Sequence, residues 1–242
     1  MSILSSGGVE LGRPQDEIAV TTDLIQPSTV GGILVALQQP RPDHPFKLGT
    51  ENVIEDCPTL KALCEVFHAV SRGSLNLLRD ISVIDLLPYT TEEDWNHMSD
   101  DEKQRIFELS QFAIGAKKPD VVLCAGKIRM PKSCWRVKGE MWKLESIGVG
   151  KVFPTNIPHI KLKDRYGSWI NIRRVNGFHP SYALAHHPEY SPFRQLFFLV
   201  VVQACAFYSG TPLCDEEWMK ELRLRCSCHP EYLSGERDLF RS

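Results

Sequence analysis

The sequence has no excess of charge of either sign. Lys and Arg number 28 against 30 Asp and Glu, a formal net charge of −2 at pH 7, so bulk charge commits the chain to neither nucleic acid nor a membrane surface. A long apolar run is also missing. The longest, Leu196 to Tyr208, is interrupted by Gln203 and falls short of the roughly 18–20 residues needed to span a bilayer, so no membrane association is expected. The first eight residues, Met1-Ser-Ile-Leu-Ser-Ser-Gly-Gly8, lack a basic region and an apolar core of secretory length. The 8 cysteines are therefore expected as reduced thiols of an intracellular protein, nuclear or cytoplasmic. No C-x-x-C pair occurs. Cys214, Cys226, Cys228 and His229 could be read as a metal cluster, but the Cys226-x-Cys228 spacing is unusual for zinc. Neither a metal nor a cofactor is expected. Repeats and low-complexity segments are absent, and 242 residues suit one α/β domain with a sizeable core.

The charge that is present is unevenly placed. From Lys127 to Arg174 twelve basic residues, beginning Lys127, Arg129 and Lys132, face only Glu140, Glu145 and Asp164. The segment reads either as a solvated charged face or as a phosphate-facing surface.

Taken in order, residues 1–31 are polar and punctuated by Gly, Pro and Ser, a leader with little regular structure. Gly32 to Leu37 is a short continuous apolar run, as in a strand buried on both faces. Cys57-Pro58-Thr59-Leu60 opens a helix that Thr59 or Asp56 can cap and Gly73 ends. Ile81 to Leu87 is a second buried strand with one anomaly, Asp85. Ser99-Asp-Asp-Glu102 is a capping-box pattern heading a helix. Val121 to Gly126 is a third buried strand. Residues 127–168 form a basic insertion, in which His159 to Asp164 pairs with Trp169 to Arg174 as a hairpin. Asn176-Gly177 is a turn signal that delivers His179-Pro180-Ser181, with Pro180 restricting His179 to extended geometry. Phe193 to Tyr208 is a buried helix, and 211–242 hold a last amphipathic helix and a tail. Strands separated by helices imply an α/β fold, with a mostly parallel four-stranded central sheet flanked by helices.

Four strand ends carry special residues: Gln38-Gln39-Pro40, Asp85, Gly126 and His179-Pro180-Ser181. A right-handed parallel sheet puts such ends on one rim, where ligands sit. Plainer roles stay open: His179 as an ordinary loop histidine, and Asp85 as a cap on nearby backbone.

Leu37-Gln38-Gln39-Pro40-Arg41, Cys57-Pro58-Thr59-Leu60, Asp85, Gly126-Lys127 and His179-Pro180-Ser181-Tyr182-Ala183-Leu184 occur in the order of motifs in the uracil-DNA glycosylase superfamily. Over roughly residues 32–208 the chain resembles that superfamily. Its members extrude a base from DNA and cleave the glycosidic bond, which develops positive charge on the sugar and negative charge on the departing base. The resemblance implies His179 as the leaving-group partner, and Pro180 and Ser181 as the phosphate-gripping turn. It makes Leu184 the candidate wedge, on condition that the loop is shifted by one, and Phe46 the stacking platform. Gln38 and Arg41 fall to the base pocket; Pro58, Thr59, Gly126 and Lys127 fall to the DNA contact. His186 and His187 read either as phosphate contacts or as a solvated pair. The superfamily's iron–sulfur arrangement is not matched.

Departures from the superfamily pattern are specific. The catalytic Asp is Gln39, the methyl-blocking Tyr is Arg41, and the uracil-reading Asn is Asp85. An ionised Asp only accepts hydrogen bonds, so facing uracil O4 it is repelled unless protonated. An acceptor-only reader suits an exocyclic amine instead. Alternatively Asp85 takes over the carboxylate role lost at Gln39, with Asp43 a weaker substitute. Three functions follow. One is a nucleic-acid-binding protein of glycosylase descent, acting on DNA (or RNA) at a base other than uracil, or at uracil poorly. The second is an inactive glycosylase-fold platform that docks DNA or a protein partner. The third is a hydrolase of free nucleosides or nucleotides. Oligomeric state is not legible.

Overall fold

The computed structural model describes residues 2–25, 30–125, 159–163, 166–177, 179–184 and 192–210. Its centre is a five-stranded mixed sheet of order β2-β1-β3-β5-β4, from β1 (Ile33–Leu37), β2 (Ile81–Asp85), β3 (Val121–Ala125), β4 (His159–Lys163) and β5 (Trp169–Gly177). β1, β2, β3 and β5 run parallel, while β4 pairs antiparallel with β5. The four-stranded expectation is corrected on this point. The hairpin does not stand apart in an insertion, because β5 is the fourth parallel strand and β4 extends the sheet past it. Ile160 and Leu162, alternating along β4, are fully buried, and that burial seats the strand at the edge.

Period-two alternation sends each strand's side chains into two cores. Ile33, Val35 and Leu37 of β1 join Val121, Leu123 and Ala125 of β3 on one face. Leu34 and Ala36 join Val122 and Cys124 on the other. The first face is covered by α3 (Thr50–Asp56), α4 (Pro58–Val70) and α8 (Pro192–Ser209), with α7 (Pro180–Leu184) packed on α4 and α8. The second face is covered by α6 (Asp100–Lys117), whose Ile106, Phe107 and Ile114 are buried.

The described residues of the 1–31 segment, 2–25 and 30–31, are not an irregular leader. They form α1 (Ile3–Glu10) and α2 (Gln15–Ile25), and α2 packs beside β2. The small residues that suggested a loop are points of close approach. A Cβ on Gly7 would lie 2.5 Å from Leu109 Cδ1, and one on Gly8 2.6 Å from Ile18 Cγ1. Ser2 caps α1 by accepting from Ser5 N–H at 3.1 Å.

Caps explain the other boundaries. The Ser99–Glu102 capping box forms, with Ser99 N–H donating to Glu102 Oε2 at 2.8 Å. α4 starts differently from expectation: its N-cap is Cys57, which makes no side-chain cap bond, and Pro58 supplies the preset first turn. A second capping box, Thr91 with Asp94, opens α5 (Glu92–His97), which the sequence reading passed over although Thr-x-x-Asp is a start signal. Among the described residues no helix is long and apolar enough to cross a membrane. The C-terminal helix expected after residue 211 lies outside the described residues.

Candidate functional site

Three chain segments converge because of the sheet's register. Leu37 stands opposite Asp85 at the carboxyl ends of β1 and β2. Pairing continues outward, with Leu86 N–H donating to the Leu37 carbonyl at 3.0 Å and Leu87 N–H to that of Gln38 at 2.9 Å. The chain leaving β1 therefore runs alongside the chain leaving β2. Two strands away β5 ends at Gly177, which is buried strand and not the turn its Asn-Gly dipeptide suggested. A Cβ there would meet Val200 Cγ1 at 3.0 Å and Leu123 Cδ1 at 3.1 Å, so glycine lets α8 approach the strand that aims His179.

Gln39, Asp85 and His179 line one cleft of about 590 Å³. Arg41, Phe46, Pro58, Thr59 and Ser181 line it too. So do residues that the sequence reading missed: Val20, Thr21 and Leu24 of α2, His44, and Thr91, Glu92 and Glu93 at the start of α5. The α2 and α5 residues were obscured by reading the leader as loop and by overlooking the second capping box. His44 was hidden in a proline-rich loop with no periodicity.

Asp85 sits where a β2 core side chain would. Ile81 and Val83, at alternating positions before it, are buried in the first core. Burial pushes its carboxyl up to about 7 from an ordinary 3.8, and Oδ1 is shut off from water with no hydrogen-bond partner among the described residues. The backbone-capping role for that oxygen is thus not observed. Gln39 is a neutral amide whose Oε1 accepts from Gln38 Nε2 at 3.2 Å; Gln38 itself is not among the lining residues.

Arg41 is held at the rim by acids. Its guanidinium pairs with Asp43, donates to the Asp56 carbonyl at 3.3 Å and approaches Asp56 Oδ2 at 3.5 Å. That pairing holds the Asp43 carboxyl below its usual range, so Asp43 serves Arg41 and is not a free carboxylate in the cleft. Beside it His44 stacks edge-on against Phe46, with centroids 5.5 Å apart at 67°. Burial first, and then the Arg41 charge, push the His44 imidazole below its ordinary 6.5. Its Nδ1 is buried without a partner among the described residues.

His179 is exposed, and its Nδ1 lies 2.7 Å from Ser181 Oγ. That contact fixes the ring over the first turn of α7. Pro180 is buried. Leu184 is half-buried, one side of it packed against the first core. Gly126, Lys127, His186 and His187 lie outside the described residues, as do most of the basic insertion and the cluster Cys214, Cys226, Cys228 and His229.

No protein-family model matches the chain, and comparison with curated proteins finds no match. The site's capability must therefore come from its own chemistry. Among the described residues no group of three His, Cys, Asp or Glu could hold a metal ion. The cleft offers an aromatic edge, a mostly apolar wall from α2 and β2, and convergent hydrogen-bonding groups. That combination suits a small planar heterocycle.

Proposed function

We propose that the protein binds nucleic acid and takes an extruded nucleobase into this cleft, as a protein of DNA glycosylase descent. Hydrolysis of the glycosidic bond is confined to a base other than uracil, or is feeble on uracil. What supports the reading is the gathering of Gln39, Asp85 and His179, from three separate strand ends, on one cleft of about 590 Å³. The motif order and the resemblance noted above point the same way.

The roles follow from charge. His179, held by Ser181, donates to the departing base. Phe46 and His44 flank the ring. Cleavage needs a carboxylate to steady the sugar cation, and Gln39 supplies none; Asp85 supplies one only when ionised. Slow excision is the direct consequence.

A panel of oligonucleotides carrying uracil, hypoxanthine, xanthine and methylated bases, assayed for abasic sites, tests this. Wild-type cleavage abolished in Asp85→Asn assigns the carboxylate to Asp85. Cleavage appearing only in Gln39→Asp assigns the wild type to an inactive base-binding platform. Failure of all three proteins to bind any strand at low salt removes both nucleic-acid readings.

One observation favours a second reading. Glu92 and Glu93, both exposed, line the cleft, and its lining arginine, Arg41, is already paired to Asp43 and Asp56. An acidic lip repels a phosphate backbone and admits an uncharged nucleoside. Turnover of free nucleosides with no salt-dependent DNA affinity is the result that selects a nucleoside hydrolase.

A further inference from the structure

We propose that Asp85 meets its ligand as a neutral carboxylic acid, so that the cleft reads a heterocycle edge bearing one hydrogen-bond donor beside one acceptor. The inference rests on the base-binding reading and specifies which bases that reading admits.

The placement of charge carries it. α2, packed beside β2, brings only Thr21 as a polar group, with Val20 and Leu24. The segment leaving β1 brings Gln39, Arg41 and His44. Of these, Arg41 is committed to Asp43 and Asp56, and burial disfavours the charged form of His44. α4 contributes Thr59, and α5 contributes Glu92 and Glu93. From beyond β5 come His179 and Ser181, bonded to each other. Tyr89, just after β2, spends its hydroxyl on the Leu4 carbonyl at 2.9 Å. Ionising Asp85 would thus leave an anion in a desolvated place with no uncommitted lysine or arginine among the described lining residues. Keeping the proton is the lower-energy state, in line with a carboxyl pushed up to about 7.

A neutral acid presents O–H and C=O side by side; a carboxylate presents acceptors alone. The neutral form therefore complements an adjacent N–H and C=O, or a ring nitrogen beside an amino group. The ionised form complements two adjacent donors. The repulsion that argued against a uracil-type edge applies only to the ionised form. Binding of such an edge and its cleavage become separate questions, because the form that reads the base is not the form that would steady a sugar cation.

The test uses the full chain and single-stranded oligonucleotides whose one base is central, with abasic spacers elsewhere. The central base is uracil or 3-methyluracil. For wild type, affinity for the uracil strand should fall roughly tenfold from pH 6 to pH 8, following the neutral fraction of a group with a midpoint near 7. The 3-methyluracil strand should bind no better than a base-free strand. Asp85→Asn, which keeps a donor and an acceptor but cannot titrate, should hold uracil equally at both pH values. A pH-independent wild type that still prefers uracil overturns the proposal and leaves the base-binding reading standing. Equal affinity for all strands, the base-free one included, defeats the base-binding reading itself. The Asp85 carboxyl followed by carbon-13 NMR decides the protonation state without any ligand; titration in the ordinary carboxylate range overturns the proposal.

Discussion

Leu37 and Asp85 face each other across the last rung of the β1–β2 ladder, one fully apolar and the other carrying a carboxyl at a core-facing position. Folding therefore half-buries the Asp85 side chain and shuts Oδ1 off from water. The folded-state value near 7 lies above the ordinary 3.8, so between these pH values the native state binds more protons than the unfolded chain. Stability contributed by the neutral form is fully present below pH 3.8 and is lost progressively as pH rises from there through 7. This group alone should lower unfolding free energy by at most about 4 kcal/mol between pH 4 and pH 8. Urea denaturation of wild type and Asp85→Asn across that range should show the decline flattened in the variant. Parallel curves would show that the carboxyl is not buried.

Gly177 fixes the spacing between β5 and α8. Adding a methyl there puts a Cβ within 3.0–3.1 Å of Val200 and Leu123, and overpacking of this kind costs about 1–3 kcal/mol. Gly177→Ala should lower the unfolding midpoint and weaken ligand binding together, because the displaced strand end carries His179. Calorimetry alongside a binding titration checks both.

Tyr89 ties α1 to the end of β2 through its hydrogen bond to Leu4. The bond lies in the buried interior, and Tyr89→Phe should destabilise by about 0.5–1.5 kcal/mol. Amide exchange should quicken across residues 3–10 ahead of the sheet. Unchanged exchange in that helix would mean that packing around Gly7 and Gly8 holds it without the hydroxyl.

Cys57, Cys64, Cys124 and Cys205 are free thiols. Burial pushes Cys124 up to about 12 and Cys205 up to about 11, so neither carries thiolate at neutral pH. A thiol reagent at pH 8 should label buried Cys124 only as the protein unfolds and half-buried Cys205 more slowly than an exposed cysteine, with site assignment by mass spectrometry. Native-state labelling of Cys124 at the rate of an exposed cysteine would contradict the placement of β3.

A good part of this was written in the sequence. The continuous apolar runs at 32–37, 81–87 and 121–126 specify strands buried on both sides, because no polar face is left for water. The Ser99 capping box and Pro58 specify where two helices begin, through local hydrogen bonding and a preset φ. The order of Gln39, Asp85 and His179 at the ends of β1, β2 and β5 is likewise linear information. The tertiary structure decided the rest. Glycines at 7 and 8 read as loop until Leu109 and Ile18 are seen pressed against them, so the two N-terminal helices and the α2 wall of the cleft escaped a local reading. Arg41 looked available to a ligand until Asp56, fifteen residues away, was found beside it. Above all, Asp85 is an ordinary anion in the linear chain, while in the folded one its carboxyl is pushed up to about 7: its residue type is sequence, but its proton affinity is set by the burial that packing imposes.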